Sequence, residues 1–390
     1  MSKKIAILGS TGSIGRNALS VIEALGPEYQ VIALTAHSRV EMLAEQAEKF
    51  QPEIVALTDA TDPDKLSGLQ KRFGGIILSG SGALVEIASL PQVDIVLCGV
   101  VGAAGLPAVL AAARAGKILA IANKEPLVVA GQILMETARK YGATILPVDS
   151  EHSAVFQCLH AGKASEVKRI ILTASGGPFR KASPEEFENA TREQALAHPT
   201  WAMGPKITVD SATMMNKALE VIEAVRLFEM PAEKIDVLIH PESIVHSMVE
   251  YVDGSIIAQL GTPDMKTPIQ YALTYPNRVP GTAKGLDLAC LGKLTFEVPN
   301  RSVFRSLDLG FEAARVGGSA PAVLNAANEA AVNLFLDGQI RLGTILDLVE
   351  HCLNVHSIRQ NPSLDELIEI DGWARKEVLK VLKTRHQPAL

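Results

Sequence analysis

The chain is poor in cysteine, tryptophan and aromatic residues generally, with four cysteines, two tryptophans and 4% aromatics in 390 residues. Cys98, Cys158, Cys290 and Cys352 are far apart, form no CxxC pair and show no zinc-ligand spacing. That excludes a disulfide framework and a zinc cluster, and makes a reducing cytoplasm the simplest expected location. The first apolar run begins at Ile5, which leaves no room for a leader and supports the same expectation. Excess positive charge is also missing. A net charge of -6 argues against non-specific binding to nucleic acid or to an anionic membrane, although a few local cations can still hold a phosphorylated substrate. One long uncharged run exists, Ile95 to Ala113, but Gly99, Gly102, Gly105 and Pro107 divide it into strand, turn and helix. No membrane span is expected there. Repeats and low-complexity tracts are absent as well.

What is present is a globular composition, 47% apolar and 21% charged, in a chain too long for one ordinary core. Residues 1–149 alternate apolar runs with amphipathic stretches. The strand candidates are Lys4–Leu8, Val31–Thr35, Ile54–Leu57, Asp94–Cys98, Ile118–Ala122 and Thr144–Val148. Such alternation predicts an α/β domain with a doubly wound parallel sheet. Residues 150–275 read as a central α+β domain: a strand at Arg169–Thr173, a Gly- and Pro-rich lid over 175–205, and a helix at Ala212–Phe228. Three β-like runs follow at Asp236–Ile239, Ser243–Tyr251 and Ser255–Leu260. The lid is expected to be mobile, with a short helix possible over Pro184–Leu196. Residues 276–300 suit a connecting arm, and 301–390 predict a C-terminal helical bundle.

Three segments carry chemistry. Strand Ile5–Leu8 runs into Gly9-Ser-Thr-Gly12-Ser-Ile-Gly15 and a helix, the setting in which backbone N–H groups approach a diphosphate. The spacing is G-x-x-G-x-x-G, not the dehydrogenase G-x-G-x-x-G, so a purely structural glycine turn remains the alternative. At the tip of the second strand an NAD enzyme places an acid on the ribose. Here stand His37, Ser38 and Arg39, which suits a 2′-phosphate and hence NADP, unless Arg39 merely faces solvent. After the sixth strand, Asp149 and Glu151 are two apart, so an extended segment would aim both carboxylates one way. On the helix that follows the lid, Asn216, Lys217 and Glu220 share a face, the blander reading being a surface ion pair. Glu223 lies near that face as a competing ligand. An all-oxygen site favours Mg²⁺ or Mn²⁺, with Co²⁺ a further candidate, over Zn²⁺.

Beyond these, Ala122-Asn-Lys-Glu125, Asp149-Ser-Glu-His152, Thr173-Ala-Ser-Gly-Gly-Pro-Phe179, His198-Pro-Thr-Trp-Ala-Met-Gly204 and Ser211-Ala-Thr-Met-Met-Asn-Lys-Ala-Leu-Glu220 occur in one order. With the glycine loop, His240-Pro-Glu-Ser-Ile-Val-His246 and Asn328-Glu329, this order resembles the 1-deoxy-D-xylulose-5-phosphate reductoisomerases along essentially the whole chain. The resemblance implies a Rossmann-like NADPH domain, a metal-dependent catalytic domain and a homodimer. It implies Thr11, Gly12, Ser13 and Ile14 along the cofactor diphosphate, His37, Ser38 and Arg39 near its 2′-phosphate, and Asn123, Glu125 and Gly204 elsewhere on the nucleotide. Lys124, Ser150 and Glu151 would meet the sugar; Ser175, Ser211, Asn216 and Lys217 would meet the substrate, chiefly its phosphate. Asp149, Glu151 and Glu220 would hold the metal, and His198 and Trp201 would close over the substrate. Three positions depart from the family pattern: the His37-Ser38-Arg39 tip, Pro126 and Ala218. The competing classes are a semialdehyde or homoserine dehydrogenase, the former needing a nucleophilic cysteine, and a non-catalytic NADP sensor.

Overall fold

The computed structural model describes residues 2–59, 63–201 and 203–386. Ala202 of the expected lid and the last four residues of the helical segment lie outside them. The chain forms two compact units, one of Met1–Pro126, Leu134–Ser153 and Asp264–Gly285, the other of Leu127–Ile133, Ala154–Pro263 and Leu286–Leu390.

The first unit is built on a seven-stranded parallel sheet: β1 (Lys3–Leu8), β2 (Tyr29–Ala36), β3 (Ile54–Leu57), β4 (Ile76–Ser79), β5 (Ile95–Cys98), β6 (Ile118–Ile121) and β7 (Thr144–Pro147). Their order is β4-β3-β2-β1-β5-β6-β7, so the winding reverses between β1 and β5. The inner strands β1 (from Ile5 onward), β3 and β5 are continuous apolar runs because helices cover both faces of a parallel sheet. Ile5, Ile7, Leu8, Leu57 and Leu97 are fully buried. Six of the strands follow the sequence expectation within a few residues. The seventh, β4, was not foreseen: it is an edge strand whose residues are half-buried or exposed, so it lacks the buried-strand signature. Helix Lys266–Thr274 belongs to this unit rather than to the catalytic segment, with Ile269 and Leu273 fully buried. The run Ile95 to Ala113 is β5, a 3₁₀ turn at Gly102–Gly105 and helix Leu106–Arg114, and no helix among the described residues is long and apolar enough to cross a membrane.

The second unit has a mixed four-stranded sheet, β8 (Val167–Ala174), β9 (Ile235–Ile239), β10 (Val245–Tyr251) and β11 (Ile256–Leu260), in the order β11-β10-β8-β9. Strand β10 is antiparallel to both its neighbours, whereas β8 and β9 run parallel. Helices Ser306–Val316, Ala320–Leu336, Leu342–Val355 and Leu364–His386 form the bundle, and one apolar core joins them to β8 and to helix Met215–Leu227. Within that core a Cβ on Gly310 would sit 2.6 Å from the Ala218 Cβ, so glycine is what allows the two helices to meet so closely.

Within the expected lid, the stretch Pro184–Leu196 is helical, as the sequence allowed, but in two pieces. Short helices Pro184–Glu188 and Arg192–Leu196 each open with a reciprocal capping box, Ser183 with Glu186 and Thr191 with Gln194. Phe179 and Phe187 are buried and meet edge to face at 5.8 Å, and Phe187 continues onto Phe304 at 6.0 Å. Outside these two helices the described part of the segment is irregular, over 175–183, 189–191 and 197–201.

Candidate active site

In the first unit every chemically notable residue lies at the carboxyl ends of the parallel strands, where open α/β sheets bind ligands. β1 ends at Gly9, whose φ of +86° and whose approach to Gly99, 2.9 Å from a hypothetical Cβ to the carbonyl oxygen, both require glycine. The turn is held from β2: Gly9 N–H donates to Thr35 Oγ1 at 2.9 Å and Ser10 N–H to the Thr35 carbonyl at 2.8 Å. Gln46, on helix Val40–Phe50, accepts from the Ser10 hydroxyl at 2.7 Å and donates to the Ser10 carbonyl at 3.0 Å. Gly12 then caps helix Ser13–Leu25 with no side chain to occupy its first-turn N–H groups. The buried Thr11, the half-buried Gly12 and Ile14 and the exposed Ser13 thus form a stiff turn leading into a positive helix end.

His37, Ser38 and Arg39 are exposed at the β2 tip. Arg39 does not project idly into solvent, because its Nη1 donates to the Thr11 carbonyl at 3.0 Å and ties the tip to the glycine loop. His37 Nδ1 lies 3.0 Å from Thr58 Oγ1. Beyond β6, Asn123 is half-buried, while Lys124 and Glu125 are buried at the start of helix Glu125–Tyr141.

Asp149 follows β7 and is 7% exposed. Its carboxylate lies 2.9 Å from Lys124 Nζ and 3.6 Å from His152 Nδ1. Burial alone would raise its pKa, but Lys124 and His152 outweigh burial and hold the carboxyl well below the usual range. Asp149 and Glu151 do not sit on an extended segment as the sequence suggested, since helix Ser150–Cys158 starts between them. The Glu151 N–H donates to Asp149 Oδ1 at 3.3 Å, and Ser150 Oγ to Glu151 Oε2 at 2.7 Å. A helix start, not strand alternation, brings the two carboxylates within 4.8 Å. His152, fully buried beside Asp149, was not singled out in the sequence, although His three residues after Asp at a helix start was a readable signal.

The second unit assembles a separate set. Ser175 follows β8, and Gly177 (φ +63°) passes so near the Ser211 carbonyl that a Cβ would lie 2.8 Å from its oxygen. That approach brings the Ser175 loop against the end of helix Pro205–Ala212, which carries Ser211. His198 Nε2 is 3.1 Å from Ser175 Oγ, while its Nδ1 accepts the N–H groups of Thr200 (3.2 Å) and Trp201 (2.9 Å). Two donors on Nδ1 put the ring proton on Nε2, so His198 is neutral and donates to Ser175. Burial lowers its pKa accordingly. Ser175 Oγ also accepts from Gly177 N–H at 3.2 Å, which leaves the hydroxyl proton for a further acceptor. The Trp201 ring lies 6.4 Å from that of His246, tilted by 54°, and is half-buried.

The expected helix Ala212–Phe228 is observed as Met215–Leu227, and an unforeseen helix, Pro205–Ala212, precedes it across a break at Met214 in the left-handed region. Gly204 caps the first and Ser211 is in its last turn; Asn216 and Lys217 are in the first turn of the second. Glu220 is fully buried, accepts from Asn216 Nδ2 at 2.6 Å and is ion-paired with the buried Lys217. This is no exposed surface pair. Glu223 is equally buried on the same helix. His240 and Glu242 belong to the fold: the His240 ring stacks on Phe296 at 4.8 Å and sits 3.1 Å from Glu242. Burial pushes the Cys98 thiol up to about 11, which removes it as the nucleophile of a semialdehyde dehydrogenase.

Comparison with known proteins decides among the remaining classes. Residues 5–131 match the model of the 1-deoxy-D-xylulose 5-phosphate reductoisomerase family, and residues 145–228 and 260–377 match the models of its C-terminal domains. The 1-deoxy-D-xylulose 5-phosphate reductoisomerase of Geobacillus sp. (strain WCH70) is 51% identical over 383 residues, covering 97% of this chain and 100% of that protein. This chain belongs to the 1-deoxy-D-xylulose 5-phosphate reductoisomerase family. Among solved structures of the family, the Zymomonas mobilis reductoisomerase in complex with NADPH is 43% identical, with a TM-score of 0.92 over 98% of this chain and 100% of that one. A reductoisomerase complex with NADPH, fosmidomycin and magnesium is 44% identical, with a TM-score of 0.94 over 99% of this chain and 100% of that one.

Proposed function

We propose that this reductoisomerase converts 1-deoxy-D-xylulose 5-phosphate to 2-C-methyl-D-erythritol 4-phosphate, using NADPH and a divalent metal, in non-mevalonate isoprenoid precursor synthesis. Family membership along nearly the whole chain is the observation that carries this reading. The overall change is a skeletal rearrangement by retro-aldol cleavage and aldol rejoining, followed by reduction of the resulting aldehyde. NADPH supplies the hydride for that reduction. Its diphosphate fits the Gly9–Gly15 turn, where the donors come from backbone and a helix end rather than from charge. Arg39, with His37 and Ser38 beside it, suits the 2′-phosphate. Asn123, Glu125 and Gly204 complete the nucleotide contacts.

Asp149, Glu151 and Glu220 are the proposed metal ligands. The donor set fits a hard cation: all are oxygens, and Asp149 and Glu220 are buried carboxylates already balanced by lysine ammonium groups. When bound, Mg²⁺ or Mn²⁺ supplies Lewis-acid polarisation of adjacent substrate oxygens. Ser175, Ser211, Asn216 and Lys217 bind the phosphate, with Ser175 offering the hydroxyl proton that its partners leave over. Lys124, Ser150 and Glu151 face the sugar, where Lys124 can move a proton at a substrate hydroxyl. His198 fixes the orientation of Ser175, and Trp201 covers the reacting carbons and excludes water. The closing element is the lid 175–205, with His198 and Trp201 in the stretch after helix Arg192–Leu196.

Two further features complete the reading. Strand β11 ends the second sheet with Ile256 and Ile257 exposed at 51% and 38%, an apolar edge suited to a second copy, so the protein is a homodimer. It acts in the cytoplasm, consistent with its free cysteines. The test of function is product analysis. Protein, NADPH, Mg²⁺ and 1-deoxy-D-xylulose 5-phosphate should yield 2-C-methyl-D-erythritol 4-phosphate by NMR, and an unrearranged reduced sugar phosphate would refute the assignment.

A further inference from the structure

The segment that carries Ser211, Asn216, Lys217 and Glu220 is strained and is held from elsewhere. Met214, between its two helices, has φ of 60°, a conformation that a non-glycine residue keeps only when its surroundings enforce it. The enforcement comes from the C-terminal bundle at two points shortly before the break. At the nearer, the fully buried Ser306 hydroxyl donates to the Thr213 carbonyl at 2.6 Å, immediately before Met214. At the other, Asn328 Nδ2 donates to Asp210 Oδ1 at 2.8 Å, immediately before Ser211. Asp210 is 1% exposed and is also paired with Lys206 at 2.8 Å. Asn328 Oδ1 finds no hydrogen-bond partner among the described residues. A buried amide that leaves its own oxygen unsatisfied to serve a carboxylate is a poor device for stability alone, because an apolar residue would avoid that cost. The direction of the bond, amide to carboxylate, fixes the rotation of helix Pro205–Ala212 and with it the aim of Ser211.

We propose that Asn328 and Ser306, with Asp210, are positioning residues for the substrate phosphate: the helical bundle sets Ser211, Asn216 and Lys217 without touching substrate. The proposal rests on the reading of those three residues as phosphate ligands. Neither Asn328 nor Ser306 lies in the nucleotide-binding turn, so their removal separates substrate binding from cofactor binding.

The experiment measures KM for 1-deoxy-D-xylulose 5-phosphate, Kd for NADPH and thermal midpoint in Asn328→Ala, Ser306→Ala and Lys217→Ala, each in the full-length protein. For Asn328→Ala the expected result is a KM raised roughly tenfold or more, as a misplaced binding group gives. Ser306→Ala should raise it by a smaller factor, with NADPH affinity unchanged in both. Ser306→Ala removes a single oxygen and carries the test even if Asn328→Ala folds poorly. A lowered midpoint with wild-type KM in the bundle variants would show purely structural struts and overturn the proposal. Wild-type KM in Lys217→Ala would instead show that the phosphate assignment is wrong, and the proposal would fall with it.

Discussion

Gly15→Ala is the substitution whose effect follows most directly from atomic positions. A Cβ at residue 15 would lie 2.4 Å from Ser10 Cα and 2.5 Å from the carbonyl oxygens of Gly9 and Ser10. All three are backbone atoms of the turn, which Gln46 and Thr35 already hold, so no side chain can swing aside. Relief requires the turn or the helix to move by about 1 Å, and overpacking of this kind costs about 1–3 kcal/mol or more. Alanine's better helix propensity offsets up to ~1 kcal/mol of that. We expect a net loss of about 2 kcal/mol in stability, read as a thermal midpoint lowered by several degrees. Because the diphosphate donors are the displaced atoms, NADPH affinity should fall roughly a hundredfold. Gly12→Ala is the control. Its Cβ would meet nothing nearer than the Gly9 carbonyl oxygen at 3.4 Å, so its stability should change by less than ~0.5 kcal/mol. The assay is thermal unfolding together with titration of NADPH. A Gly15→Ala protein with wild-type midpoint and wild-type NADPH affinity would refute the account of this turn.

Asp149→Asn and Glu220→Gln should each lower turnover by roughly a thousandfold, since each swaps a charged ligand for a neutral one of the same shape, while NADPH binding persists; wild-type metal affinity in both variants would move the ion elsewhere, with Glu223 the first place to look. Arg39→Met should weaken NADPH binding about tenfold and leave NADH binding almost unchanged, as expected for loss of one charge-assisted contact to a 2′-phosphate; equal losses for both nucleotides would show that Arg39 acts only through Thr11. Protonation of His198 would set a third N–H against those of Thr200 and Trp201, and burial lowers its pKa below the ordinary 6.5. The neutral ring therefore supports the 197–204 segment fully above pH 6.5, and that support is lost as pH falls through the lowered folded-state value. The kcat/KM profile should drop at acid pH in the wild type relative to His198→Gln, which shares the titration of the substrate phosphate; superimposable profiles would exclude this role.

Much of this was legible in the sequence, for identifiable reasons. Buried parallel strands such as Ile54–Leu57 are short unbroken apolar runs, and their ends can be read to within a residue or two. The glycine turn and the shared face of Asn216, Lys217 and Glu220 depend on local spacing alone, so they could be placed in advance. What failed depended on partners distant in sequence or on competing local signals. β4 pairs as a half-exposed edge strand, and nothing within Ile76–Ser79 announces that neighbour. The turn from Asp149 to Glu151 read as extended because alternation was weighed above an N-cap aspartate followed by an acid in the first helical turn. Where one short helix was expected over Pro184–Leu196, two capping boxes, Ser183 with Glu186 and Thr191 with Gln194, start two. The break at Met214 carries no glycine or proline, and Ser306, whose hydroxyl bonds to the carbonyl just before it, lies far along the chain. For the same reason Asp210 and Asn328 could not be paired beforehand.

Metal-assisted rearrangement must precede reduction by NADPH. That order is tested most directly by following NADPH oxidation with 1-deoxy-D-xylulose 5-phosphate in protein stripped by a chelator, and then adding back Mg²⁺ or Mn²⁺. The account predicts that the stripped protein binds NADPH yet consumes none, and that the added metal restores turnover with one 2-C-methyl-D-erythritol 4-phosphate formed per NADPH oxidised. Full-rate NADPH oxidation in the presence of chelator would contradict it.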